Sequence, residues 1–234
     1  MAWIEHDYAD FDALGAALAQ QLHDACAQGI DARDAALLGL AGGRTPLPLY
    51  QRLADHALPW SKVVVLPTDE RCVPHEHPAC NLRQIAGAFV AAPRLQLAGL
   101  TPPDGDPLRS EAHAREVLAR HPGPFDALVL GMGADGHTAS LFPGAPQLAT
   151  ALDQQAGIDA CRIDPQPLPA DAPFPRITLT LARLLRSRTL HLVIGGADKR
   201  AALRRAQASA DASRYPVAAV LHAAAACVHI HWSP

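Results

Sequence analysis

The chain has 234 residues, of which 49% are hydrophobic, and a formal net charge of −3 with no basic cluster, which argues against a grip on nucleic acid or an anionic membrane. That length and apolar share suit one α/β domain over residues 1–234, and no apolar run reaches the ~20 residues of a membrane span. Five scattered cysteines without a C-x-x-C pair read as reduced thiols, and Glu5, Asp7, Asp10 and Asp12 with no Lys or Arg before Arg33 argue against a signal peptide, so a cytoplasmic protein is expected.

Phe11, Leu14, Leu18, Leu22 and Cys26 recur at helical spacing before Gly29, which predicts an amphipathic helix over about 9–28. Ala35 to Leu40 is a short apolar strand delivering Gly42-Gly43-Arg44-Thr45-Pro46, with Thr45 as N-cap and Pro46 as first helical residue. A Gly-Gly turn opening a helix presents free N–H groups and the positive end of the helix dipole, which suits a phosphate dianion, although the same pair also makes an ordinary tight turn.

Val63 to Leu66 reads as a buried strand ending in Pro67-Thr68-Asp69-Glu70-Arg71, which is either a solvated turn or a polar cluster at a strand end. His75-Glu76-His77 has metal-like spacing but no further ligand follows at a suitable interval, so it reads as surface and no metal is predicted. Leu82 to Ala91 reads as a helix, Pro102 to Pro107 as a loop and Arg109 to Arg120 as another helix.

Phe125 to Leu130 is an apolar strand running into Gly131-Met132-Gly133. Ligands in open α/β sheets gather beyond the carboxyl ends of strands, and Gly131, Gly133 and Gly136 permit close backbone approach. Asp135 and His137 stand two apart in that turn, with Thr138, Ala139 and Ser140 expected to begin a helical turn. An imidazole titrates near neutrality and a neighbouring carboxylate can orient it, so the pair suits general-base work; a solvated loop histidine is the other reading.

Farther on, Ile158 to Ile163 is a candidate strand, and Pro165 to Pro175, with five prolines, an extended loop that could serve as a lid. Arg176 to Thr180 leads a helix to Leu185. Thr189 to Ile194 is a strand ending in Gly195-Gly196-Ala197-Asp198-Lys199, where a new helix starts. A lysine in a first helical turn opposes the dipole, so Lys199 either meets a compensating anion or faces solvent. Val217 to Leu221 and Val228 to Trp232 read as short strands, with His222, His229 and His231 structural or exposed. Strands alternating with helices predict a three-layer α/β/α fold with a mostly parallel, Rossmann-like central sheet.

Three stretches in order, Leu40 to Pro46, Thr68 to Pro74 with Asn81, and GMGADGHTASLFPG over 131–144, resemble the 6-phosphogluconolactonase family, within a superfamily that includes glucosamine-6-phosphate deaminases. The match runs from about Leu37 to about Lys199. It implies hydrolysis of 6-phospho-D-glucono-1,5-lactone to 6-phospho-D-gluconate in the pentose phosphate pathway, without metal or organic cofactor, by a monomer or small homo-oligomer whose partner is the phosphosugar lactone.

The resemblance implies His137 as the base with Asp135 beside it, and Arg71 and Lys199 as phosphate ligands aided by the turn Gly42, Gly43, Arg44 and Thr45. It also implies that Asn81 pins its loop or touches substrate, that Asp69 or Glu70 holds that loop or binds sugar hydroxyls, and that Gly133 belongs to the glycine loop at the carbonyl. Arg176 resembles a further basic position. Two positions depart from the pattern: Arg44 and Cys80 stand where serine is common. Deaminases carry an acid five residues after the histidine, where this chain has Phe142, and a sugar-phosphate sensor joined to a DNA-binding module would need an extension that is not seen.

Overall fold

A computed structural model of the chain describes residues 2–43, 45–169, 172–224 and 227–234. Its main sheet has seven strands, all parallel: β1 (Ala2–Asp7), β2 (Ala36–Leu40), β3 (Val63–Pro67), β5 (Gln96–Leu97), β6 (Ala127–Gly131), β9 (Leu190–Gly195) and β10 (Cys227–Ser233), with β4, β7 and β8 set apart in a second sheet. The spatial order is β1-β10-β9-β6-β2-β3-β5.

Side chains alternate across a strand, and along the central strands β2, β3 and β6 both faces of this sheet are apolar and covered, the usual condition of parallel strands. Leu38, Leu40, Val63, Val65, Ala127 and Val129 pack beneath α1 (Phe11–Arg33), α2 (Leu47–Ala54) and α3 (Asn81–Ala88). Leu128, Leu130, Leu190, Leu192, Val228 and Ile230 meet the other layer, built from α4 (Ser110–Ala119), α5 (Leu148–Leu152), α6 (Leu181–Leu185), α7 (Ala197–Ala208) and α8 (Val217–Leu221). The three-layer α/β/α arrangement is the one the alternating sequence pattern predicts.

Helix α1 begins at Asp10, whose carboxylate caps Ala13 N–H at 2.8 Å, and runs past Gly29 to Arg33. Gly29 does not stop it; a β-carbon there would lie 2.9 Å from Asp126 Oδ2, so the glycine makes room for a buried carboxylate. The helix ends instead at Asp34, left-handed at φ 60°, whose N–H closes on Ile30 O.

The second sheet is antiparallel, in the order β4-β8-β7, and joins β4 (Asp69–Arg71), β8 (Arg176–Leu179) and β7 (Ala160–Ile163). The three charges after β3 are therefore a strand rather than a solvated turn. Arg176 likewise begins a strand, and the helix starts only at Leu181 under the Thr180 cap.

Other expectations are corrected. Val217 to Leu221 is helical, opened by Pro216 at φ −55°; a five-residue apolar run has no period long enough to separate strand from helix. Thr138 to Ser140 form a tight turn bridged from Thr138 to Leu141, with Ala139 left-handed at φ 48°, not a helical turn. Thr45 caps nothing: Pro46 occupies the cap of α2, with no side-chain cap bond. Strand β1, paired along its length with β10, was not anticipated.

Candidate active site

From β2 the chain moves outward to β3 and β5, then returns to place β6 on the other side of β2. That reversal parts the connections leaving β2 and β6 at their carboxyl ends, the place where open α/β sheets hold ligands. A cavity of about 320 Å³ opens there. Gly42, Gly43, Thr45, Asp69, Arg71, Asn81, Gly133, His137, Arg176 and Lys199 all line it, as do Phe142 and Pro169. Ten of the thirteen residues named as candidates from sequence thus meet on one wall system. Asp135, which is half exposed, and the buried Glu70 are not among the lining residues, and Arg44 lies outside the described residues.

At one end is the imidazole. Asp135 Oδ1 lies 2.6 Å from His137 Nδ1 and accepts the His137 backbone N–H at 3.1 Å, so one carboxylate oxygen holds both ring and chain. Burial works to raise the Asp135 carboxyl, but the hydrogen bonds and charge of His137 outweigh it and hold the group below its ordinary value. A carboxylate at Nδ1 keeps the proton on that nitrogen, which leaves Nε2 with the lone pair.

Gly133 donates its N–H to His137 O at 2.9 Å, and a β-carbon on Gly133 would lie 2.2 Å from His137 Nδ1. The glycine thus gives the ring its space, and its N–H is already spent. The Phe142 ring lies against the imidazole with centroids 4.5 Å apart, and the Arg176 guanidinium sits 5.8 Å from the centroid of Phe142.

Elsewhere the cavity carries three cations, Arg71, Arg176 and Lys199, beside the carboxylate of Asp69. Arg71 Nη1 donates to Ala79 O at 2.7 Å and Asn81 Oδ1 at 2.6 Å, while its Nε is buried with no partner. Asn81 in turn donates to Asp69 O at 2.7 Å. Arg176, 3% exposed, donates to Phe174 O and Ala172 O within the loop that the prolines predict. Lys199 rises from the first turn of α7, burial holds its ammonium below the ordinary value, and no carboxylate among the described residues pairs with it.

Two supporting residues escaped the sequence reading: Ser140 Oγ, buried, donates to Asp69 Oδ2, and Gln84 Oε1 accepts the Gly43 N–H at 3.1 Å. Pro169, within the proline-rich loop singled out from sequence, reaches the cavity. Gln84 occupies one of the N–H groups expected to cradle a phosphate. His75 and His77 do not converge: His75 Nε2 meets Thr101, and His77 Nδ1 takes the Ala79 N–H.

The sequence model of the family described as glucosamine-6-phosphate isomerases/6-phosphogluconolactonase matches residues 9–232. The chain belongs to this family. Among its relatives, a 6-phosphogluconolactonase of Pseudomonas putida is 37% identical over 232 residues, covering 98% of this chain and 92% of that one. One of Mesorhizobium japonicum is 38% identical over 235 residues, covering 97% and 94%. The crystal structure of a 6-phosphogluconolactonase from Shewanella baltica superposes with a TM-score of 0.92 at 33% identity, covering 99% of this chain and 97% of that one. Family membership thus spans both ends of the cavity, from the Gly42-Gly43 turn to Lys199.

Proposed function

We propose that the chain hydrolyses 6-phospho-D-glucono-1,5-lactone to 6-phospho-D-gluconate, the lactonase step of the pentose phosphate pathway. The observation that carries this reading is one cavity with a carboxylate-held imidazole and, on the same wall system, Arg71 and Lys199 with unspent donors.

A lactone carbonyl is already electrophilic, so the task is to activate water and release the ring oxygen. His137 Nε2 takes a proton from water as its oxygen bonds to C1; the tetrahedral intermediate then collapses, the C1–O5 bond breaks, and the imidazolium returns the proton to O5. Asp135 favours the transient imidazolium and keeps Nδ1 protonated throughout. Arg71 and Lys199 hold the remote phosphate, with the guanidinium able to bond two of its oxygens, and so fix the ring against the base. Phe142 cannot relay a proton, which sets this site apart from deaminases that carry an acid at that position.

The test is stopped-flow hydrolysis of freshly made lactone against its spontaneous opening. Wild type should exceed the background by orders of magnitude, and His137→Ala should lose turnover while still binding 6-phosphogluconate. A wild-type rate equal to background removes the reading; full turnover in His137→Ala removes the base assignment.

A further inference from the structure

Glu70 is 0% exposed and does not line the cavity, yet four donors converge on its carboxylate. Oε1 accepts the backbone N–H groups of Arg71 and Asn81, each at 2.7 Å. Oε2 accepts the Leu82 N–H at 2.8 Å and the Cys80 thiol at 3.5 Å. Asn81 and Leu82 open α3, so a buried negative charge sits on free N–H groups at a helix start.

We propose that Glu70 is a positioning residue for the phosphate end of the cavity: its ionised carboxylate clamps the start of α3 to β4 and thereby aims Arg71 and Asn81 at the ligand. The inference rests on the reading of Arg71 as a phosphate ligand. The path is short. Glu70 fixes the Asn81 backbone, the Asn81 side chain fixes Arg71 Nη1 at 2.6 Å, and Arg71 is also held through its own N–H.

The clamp is sensitive to acid. Burial, reinforced by the Asp69 charge, pushes the Glu70 carboxyl up to about 7 against the pull of its three backbone donors. A proton entering either oxygen displaces one of the donors, because both oxygens are already occupied by groups that donate. The other titratable or charged groups around it are Asp69, Arg71 and Cys72 on its own segment, Cys80 and Arg83 at the start of α3, and Arg176 on the paired strand β8, opposite Arg71. The thiols of Cys72 and Cys80 are both pushed up to about 11, chiefly by burial, so they do not titrate near neutrality.

The experiment reads 6-phosphogluconate binding by calorimetry from about pH 5.5 to 8.5 in His137→Ala protein, where the imidazole no longer contributes, with and without Glu70→Gln. The ligand phosphate, with a second pKa of about 6, titrates identically in both. With Glu70 intact, affinity should fall below pH 7 by up to about tenfold at pH 6 beyond the phosphate's own share, since a carboxyl titrating near 7 is then about nine-tenths protonated. In Glu70→Gln affinity should be weak throughout and that excess absent; on fresh lactone the same single change should raise KM about tenfold and leave kcat within about twofold.

An affinity that follows the phosphate titration alone, or a Glu70→Gln protein with unchanged binding, or a loss in kcat instead of KM, overturns the inference. Should Glu70→Gln fail to fold, the profile of His137→Ala decides by itself. A wild type that binds 6-phosphogluconate with the predicted profile but hydrolyses no lactone refutes the proposed reaction and supports the Glu70 clamp.

Discussion

Gly42 and Asn81 approach so closely that a β-carbon on the glycine would lie 2.0 Å from Asn81 Oδ1 and 2.8 Å from its Cβ. The turn after β2 and the start of α3 therefore interlock at the oxygen that holds Arg71.

Gly42→Ala must push Asn81 away and take with it the bond to Arg71 Nη1. Overpacking of this kind costs roughly 1–3 kcal/mol, and the loss should appear as a raised KM with a smaller change in kcat. Denaturant unfolding and initial rates check both parts; an unchanged KM would mean that Asn81 does not set the guanidinium.

Asp135→Asn should be worse for kcat than for KM. The amide can donate to Nδ1 and stabilise the tautomer that carries its proton on Nε2, the nitrogen required as base. A fall of about 10²–10⁴-fold in kcat is expected, with 6-phosphogluconate binding kept, measured by single-turnover kinetics and calorimetry.

Lys199 should take up protons when phosphate binds. Burial holds its ammonium below the ordinary value in the free protein, and a phosphate dianion restores the charged form. The contribution of Lys199 to affinity is therefore full below its pKa and declines as pH rises through it. Calorimetry at about pH 9 in two buffers of different ionisation heat should reveal uptake, and Lys199→Gln should abolish it.

A histidine ladder under α1 predicts acid lability. Tyr8 Oη meets His231 Nδ1 at 3.0 Å, His231 Nε2 meets His191 Nδ1 at 3.1 Å, and His6 pairs with His229. Burial first, then the neighbouring histidines, pulls His191 down to about 3 and His231 down to about 2. The unfolded chain takes up protons below its ordinary value near 6.5, whereas the fold refuses them. The share of stability that rests on these two histidines is thus complete above about pH 6.5 and falls on acidification, by about 2 kcal/mol per histidine at pH 5, against an opposite and comparable contribution from Glu70, whose carboxyl is raised in the fold. Urea unfolding at pH 7.5 and about pH 5 measures it, and His191→Leu should flatten the dependence.

The site was legible where its geometry is local. Asp135 and His137 are two residues apart, and their contact follows from one glycine turn. Glu70, Gln84 and Ser140 were assigned no definite role because their partners lie 11, 41 and 71 residues away, distances that no periodicity spans. Thr45 carried a good capping residue type, but the cap of α2 is Pro46.

Alternation of apolar strands with helices is written in the chain itself, because burying one stripe or both faces of an element imposes a period on neighbouring residues. That was enough for the layered parallel fold, for the strand ends that carry polar groups, and for the Asp135–His137 pair. Packing alone decided the rest. Edge strand β1 carries an exposed Ile4 and the ladder residue His6 on one and the same face, so it lacks an apolar rhythm until β10 lies beside it. Arg71 and Arg176 became neighbours only when β4 and β8 paired antiparallel, since register between distant strands depends on where the whole core closes.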